Sequence, residues 1–478
     1  MNINLKVIYI YICLGVLLSA GVIYSQPDTL WTGMYGGSDS EQAFSVTATP
    51  DGGCAVIGHT YSFLSGKSDI WIVRLDATGD TLWTKLFGGS LNDEGLHIAM
   101  IPEGNFIFTG YTVTADSGEQ LLLVKIDSLG NVLWQKNYGG TGNERGNCAI
   151  PTSDGGYIVA GVTSPGTSSD MWILKTNALG DTVWTRIIGG GNPDEAKYIC
   201  TTHDGGYVVT GYTYSYGSGF SDIYLVKLND QGVVVWSTTV GDSGYEYSVS
   251  VLETDDYGFF ITGQTTSYGA GSYDIWVVRT DSLGNVLWTK TFGGPNTDFP
   301  GEGIKTSDGN YLISGTLYSD DAWLFKLDDN GDTLWTMNVL QWTTDVFRSV
   351  VEATDGEYIA AGYIYNNASS SDDFYVIKTE PEVGIGEETT SGTTRKIVSY
   401  FPSIVRGKAV LKTNLNQDVN VIMQILDVKG TFISSRNVRI VAGEQRLFMD
   451  FSDFESGVYF LVLKADSCIE SLKFMVLK

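Results

Sequence analysis

Positive charge is scarce in this sequence. Its 478 residues carry 29 Lys and Arg against 55 Asp and Glu, a net charge of −26. So acidic a chain repels phosphate backbones, which excludes nucleic acid as a partner and leaves cations and neutral sugars open. Cysteine is sparse too: there are five, and Cys13 lies in the N-terminal apolar stretch. Cys54, Cys148, Cys200 and Cys468 are scattered without C-x-x-C spacing. That excludes a thiolate metal site and a dense disulfide framework. Cys148 and Cys200 occupy corresponding places in successive repeats, so a bridge and two buried thiols both stay open. His59, His97 and His203 have no second ligand at useful spacing, and read as core or surface residues. No Gly-rich phosphate loop precedes a helix, and no long amphipathic helix is visible.

What is present is the composition of a folded β protein: 43% apolar residues, 58 Gly, 27 Tyr and 12 Trp. Residues 1–25 read as an export signal. Lys6 supplies the positive start, Val7–Leu18 the apolar run, and Ser19, Ala20 and Gly21 the small residues before cleavage. Apolar character continues to Tyr24, so an uncleaved anchor is the competing reading. After this segment no apolar run reaches membrane-spanning length.

The phrase GDTLWT stands at Gly79–Thr84 and returns at Gly331–Thr336, with GDTVWT at Gly180–Thr185. Its tryptophans, Trp31, Trp83, Trp134, Trp184, Trp236, Trp288 and Trp335, are spaced 47 to 52 residues apart. A period near fifty marks a propeller or another array. Each period holds four short β-type runs, in the first Ala43–Thr49, Cys54–Thr60, Ile70–Leu75 and Thr81–Lys85. Asp-Gly-Gly turns link the first pair, and Asp-x-x-Gly turns the last. The pattern predicts an all-β chain: a seven-bladed β-propeller over residues 26–379, followed by a small C-terminal β-sandwich. The array starts on a tryptophan strand and ends on a third-type strand, Phe374–Lys378. The N-terminal strand is therefore expected to complete the last blade and close the ring.

The stretch RLDATGDTLWTKLFGG resembles the tryptophan-docking repeat of quinoprotein-like propellers. Enzymes of that family use eight blades, a calcium-held quinone and adjacent cysteines. This chain has seven repeats and no adjacent cysteine pair, so the resemblance implies the fold and not quinone-dependent oxidation.

Propeller geometry puts the second-to-third loops and the blade crossings on one face. These loops are rich in Tyr, Ser, Gly and Asn, as in TYSYGSGFSD (Thr213–Asp222) and TTSYGAGSYD (Thr265–Asp274). Rigid aromatics beside small polar residues suit recognition, and they also suit ordinary loops. Tyr214, Tyr216, Tyr268 and Tyr273 are the ligand-binding candidates. The same face carries acids: Asp69, Asp170, Asp222, Asp274, Asp321 and Asp373 before the third strands, and Glu41, Glu94, Glu144, Glu195 and Glu246 after the crossings. Such rings could hold Ca²⁺ or share acid–base work, or they cap turns. Repetition in nearly every blade favours capping. No catalytic residue, metal site or cofactor is assigned, calcium being the one ion the acids would admit.

After Lys378 the period stops. Residues 380–394 read as a Gly/Thr/Glu-rich linker, and charge changes sign beyond it. Residues 395–478 hold 12 Lys and Arg against 8 Asp and Glu. Their strands alternate like an antiparallel sandwich. ILDVKG (with Asp427 and Gly430), DFSDFESGVYFLVLKA (with Asp450, Gly457 and Tyr459) and KFMVLK (Lys473–Lys478) resemble the type A sorting domain of the type IX secretion system. The family's Tyr-Pro-Asn-Pro opening is replaced by YFPSIV. The resemblance implies a Gram-negative envelope, Sec-type export through the periplasm, and recognition by the type IX translocon and sorting machinery. The propeller would end up extracellular or on the outer-membrane surface. Two roles follow for it: a binding module for a polysaccharide or an envelope protein, or a glycan-active enzyme with acids at the channel mouth.

Overall fold

The computed structural model describes residues 23–24 and 26–382, except 64–66, 117, 165, 167, 318–320, 340–343 and 355. Beyond these it describes 384–385, 398–400, 404–405, 408–415, 418–427, 432–441, 443–452, 454, 456–465 and 468–476. Two compact units result: one of residues 26–382, the other of the remaining described residues. All described regular elements are strands.

The first unit contains seven four-stranded antiparallel sheets. Blade 1 runs through Glu41–Ala48, Cys54–Thr60, Asp69–Leu75 and Thr81–Phe87, paired in chain order. Blades 2 to 6 repeat this plan, their first strands beginning at Asp93, Asn143, Asp194, Glu246 and Phe299. Blade 7 is assembled from both ends. Asp345–Glu352, Tyr358–Asn366 and Ser371–Thr379 are completed by Thr29–Tyr35, whose Thr32 pairs with Ile377. The first strand of every blade abuts the first strands of its neighbours, and blade 7 abuts blade 1, so the ring is closed. In blade 1 the second and third strands are buried end to end, while the fourth strand is the exposed rim. The apolar cores lie between blades: Trp71, Val73, Ile359 and Phe374 share one cluster, and Ile57, Ile72, Phe108 and Val124 another.

The repeated phrase now has a physical reason. Trp31, Trp83, Trp134 and Trp184 of the rim reach to the next blade's last turn, where the indole N–H donates to a carbonyl. Trp31 bonds Ala77 at 2.9 Å, Trp83 Ser128 at 3.1 Å, and Trp134 Ala178 at 3.2 Å. The turn glycine sits under the ring: a Cβ on Gly180 would lie 3.0 Å from Trp134. Gly180 also has a φ of 80°, so both backbone and packing ask for glycine. At the Asp-Gly-Gly turns, a buried third-strand cation holds the acid. Arg74 pairs with Asp51 at 2.6 Å, Lys175 with Asp154 at 2.7 Å, and Lys227 with Asp204 at 2.8 Å.

The C-terminal unit is a sandwich. A three-stranded sheet (Val398–Tyr400, Lys408–Leu415, Gly443–Asp450) shares one core with a five-stranded sheet in which Val419–Asp427 lies between Gly457–Ala465 and Phe432–Ile440. Leu411 and Met449 of one sheet pack with Val421, Tyr459 and Leu461 of the other.

Candidate functional site

On the loop face, backbone and hydroxyl bonds tie each blade crossing to the loop beside it. Tyr61 N–H donates to Ser40, and Asp39 N–H to Ser62 Oγ at 2.9 Å. The acids finish this network. Glu41, Asp93, Glu144, Asp194, Glu246 and Asp298 are fully or almost fully buried. Each accepts the backbone N–H of the residue four before it, as Gly89 to Asp93 at 2.8 Å and Gly140 to Glu144 at 3.1 Å. Thr60 and Ser62 hydroxyls donate to Glu41 as well, at 2.7 and 2.6 Å. The glycine before the donor covers the carboxylates: a Cβ on Gly88 would fall 2.3 Å from Asp69 and 2.8 Å from Asp93. This accounts for the Gly-Gly that follows the rim strand.

The expected glutamate ring is corrected here. Strand register puts Asp93 and Asp194, not Glu94 and Glu195, in the capping position: Asp93 faces Thr112 and Asp194 faces Thr213, as Glu41 faces Thr60. A one-residue offset sends a side chain to the opposite sheet face. Glu94 and Glu195 therefore stand apart, with the first-strand groups that surround the channel. Of the third-strand acids, Asp69, Asp222, Asp274 and Asp373 are buried, while Asp170 and Asp321 are half-buried. Burial, with Asp93 nearby, raises Asp69 to about 6. Burial likewise raises Asp222 to about 6, with Glu246 and Asp242 adding to it. Among the described residues no three His, Cys, Asp or Glu side chains come together as a metal group. The thiols of Cys54, Cys148 and Cys200 are free, and burial pushes Cys54 and Cys200 up to about 12.

The four candidate tyrosines fall into two settings. Tyr216 and Tyr268 each lie over a third-strand aromatic, Tyr224 at 5.5 Å and Trp276 at 5.5 Å, as Phe63 lies over Trp71. That arrangement, shared by blades 1, 4 and 5, covers core. Tyr214 and Tyr273 belong to a cluster found at the junction of blades 4 and 5. The Tyr214 and Tyr247 hydroxyls are 2.7 Å apart, and Tyr212 meets Tyr247 edge-on at 4.9 Å. Phe220 stacks on Tyr245 at 4.8 Å and 9°, and Tyr245 runs parallel to Tyr247 at 6.3 Å and 11°. Burial raises the pKa of the Tyr273 hydroxyl, and its neighbours Tyr245 and Tyr214 add to that. Phe220, Tyr245, Tyr247 and Tyr212 were missed by sequence reasoning, although GYEYS (Gly244–Ser248) is the one crossing with two tyrosines around its acid.

Beside the cluster, Glu195 accepts from Tyr212 at 2.6 Å, Lys197 at 2.6 Å and Asn147 at 2.9 Å. Burial opposes its charge, but Lys197 and these hydrogen bonds outweigh it and hold the carboxyl below its ordinary range. Deeper in, Glu302 of blade 6 accepts from Tyr198 of blade 4, two blades back, and from Ser349 of the neighbouring blade 7 at 2.6 Å. Burial pushes Glu302 up. On the hairpin-turn side of Tyr198 lies a cavity of about 380 Å³ walled by Ile150, Ile199, Val251, Leu252 and Ile304.

In the sorting motifs, Asp450 is exposed and accepts from Ser452 at 2.6 Å. Tyr459 is buried against Phe454. Asp427, Gly457 and Lys473 are strand residues described by backbone alone, and Gly430 and Lys478 lie outside the described residues. So does residue 25 and all of the export segment up to residue 22.

Residues 401–477 match the family described as "Secretion system C-terminal sorting domain". The chain thus carries a secretion sorting tail, of the kind that sends a protein to the cell surface or the extracellular space. A comparison with curated proteins returns no match. Among solved structures, Raptor from Chaetomium thermophilum is 10% identical at a TM-score of 0.49, over 76% of this chain and 30% of its own. Puromycin hydrolase is 11% identical at 0.47, over 82% and 62%. BBS1N, solved in complex with ARL6DN, is 11% identical at 0.47, over 75% and 98%. This chain spans under a third of Raptor's length and under two thirds of the hydrolase's. The seven-bladed description rests on the strand pairing itself.

Proposed function

We propose that this is a secreted or surface-attached propeller that serves as a binding module. A Sec-type signal would take the chain to the periplasm, and the type IX translocon would read the tail. The ligand is a polysaccharide or another envelope protein, and the junction of blades 4 and 5 is where it docks. The observation that carries this reading is the six-aromatic cluster of Tyr212, Tyr214, Phe220, Tyr245, Tyr247 and Tyr273. It breaks the symmetry of the ring, and rigid amphipathic rings give large contact area at low entropic cost.

A glycan array probed with the exported protein, calcium present, tests it. Selective binding that falls at least about tenfold in Tyr247→Ala and Tyr214→Ala, with unchanged melting, is the expected result, since one stacking contact supplies roughly 1 kcal/mol or more. A blank array from folded protein would leave an envelope protein as the ligand. The enzyme reading keeps two acids, Glu94 and Glu195, because both lie off the capping ring. Loss of oligosaccharide turnover in Glu195→Gln would favour it.

A further inference from the structure

Arg348 stands on the first strand of blade 7, among the residues that converge on the channel. Its guanidinium lies 5.3 Å from the centre of Phe44 and 5.5 Å from that of Tyr363. Two aromatic rings therefore flank the guanidinium fork. Arg348 is nevertheless exposed, and among the described residues its side chain has no hydrogen-bond or ion-pair partner. That is unusual in this chain. Arg74, Arg145, Lys175, Lys197, Lys227 and Lys326 each meet a carboxylate. Glu94 and Asp372 share the surroundings of His59 with Arg348, but they are engaged elsewhere. Asp372 holds the Gln42 amide at 2.9 Å, and Glu94 lies 3.9 Å from His59. His59 packs on Phe44 at 5.4 Å, and its buried Nδ1 has no hydrogen-bond partner among the described residues. Burial lowers the His59 pKa, so the ring is neutral and able to hydrogen-bond.

A planar guanidinium with unspent donors, held by aromatic faces, is preorganised for a planar oxyanion. We propose that Arg348 binds the carboxylate of an acidic sugar at the channel mouth, so that the propeller prefers uronate-containing glycans to neutral ones. This inference rests on the carbohydrate reading of the loop face. A monoanionic carboxylate suits the site better than a phosphate dianion, because Arg348 shares the surroundings of His59 with Glu94 and Asp372, and a second negative charge doubles the repulsion from them. The neutral imidazole of His59 beside it offers a polar atom for a sugar hydroxyl.

The test compares a trimer of α-1,4-linked galacturonic acid with its carboxyl-reduced, neutral counterpart, by calorimetry on the exported protein. The expected result is at least tenfold tighter binding of the acidic trimer, narrowing as salt rises. Arg348→Met should erase that preference and leave affinity for the neutral trimer unchanged, while Arg348→Lys keeps part of it. Arg348 is exposed, so neither variant should lower the melting temperature. Equal affinity for both trimers, or a preference that survives Arg348→Met, overturns the inference. If the neutral trimer binds and depends on Tyr247, the loop-face reading stands without it. If neither trimer binds, the carbohydrate reading fails and the inference falls with it.

Discussion

Gly155 and Gly180 separate two reasons for glycine. Both have a φ of 80°. Around Gly155 an added Cβ meets nothing within 4 Å, whereas at Gly180 it meets Trp134 at 3.0 Å and Lys136 at 3.2 Å. Gly155→Ala should therefore cost only the left-handed backbone term, about 1 kcal/mol. Gly180→Ala adds a displaced tryptophan and should cost about 2–3 kcal/mol, by urea unfolding of the two variants side by side. The turn acids set one limit of pH stability. Hydrogen bonds and the Arg74 charge outweigh burial and hold Asp51 at about 2; for Asp256, the Thr254 hydroxyl leads and the value is again about 2. Their stabilisation is complete above the unfolded carboxylate pKa and is lost as pH falls toward 2. Asp69 and Asp222 set the other limit. Raised to about 6, each favours the folded state below its unfolded pKa and withdraws that support as pH climbs to 6. Melting temperature should thus peak near pH 4–5, between these limits. Asp69→Asn should flatten the fall between pH 4 and 6; an unchanged profile would show that Asp69 does not titrate there.

At the scale of elements, the seventh blade poses a difficulty that the other six do not have. Its rim strand comes from the N-terminus, so no hairpin turn follows Ser371–Thr379 to receive the indole of Trp335. Glu382 takes that place. Its carboxylate accepts from Trp335 at 2.8 Å and from the Tyr358 hydroxyl at 2.7 Å, and it pairs with buried Lys326. Glu380 N–H also bonds Asp28, next to the closing strand. The chain therefore belongs to the propeller through Glu382, past the Thr379 limit expected from the repeat. Removing Glu382 leaves the Lys326 ammonium with Asp308 at 2.8 Å, and strands two donors. Glu382→Ala should cost about 2–4 kcal/mol, and Glu382→Gln less because it retains one acceptor. Equal denaturant midpoints for wild type and Glu382→Ala would rule out this closing role.

At the scale of the whole molecule, the charge break and the sorting tail describe a two-part protein. Residues 401–477 carry the secretion signature, while the propeller carries the acidic load. Deleting residues 395–478 should leave the propeller in the periplasm, read by fractionation with an antibody against it. Undiminished secretion would remove the tail's sorting role. The ring should depend on both chain ends. Deleting residues 26–35 bares the edge of Ser371–Thr379 and the Trp31 contact, and should make blade 7 the first site of protease cutting.

Local chemistry determined most of the architecture. The tryptophan period, the Asp-Gly-Gly and Asp-x-x-Gly turns and the position of the break after Lys378 are short-range signals, and each blade is a local unit. They were enough to read seven blades, closure by the first strand and the sandwich tail. What spans blades was decided only in three dimensions. The register that separates Glu94 and Glu195 from the capping acids depends on the Thr opposite, and that pairing is set by folding. The meeting of Tyr214 with Tyr247, of Tyr198 with Glu302, and of Arg348 with Phe44 joins residues 33, 104 and 304 positions apart. No local pattern encodes such contacts, because each partner obeys only its own blade's repeat until ring closure brings them together.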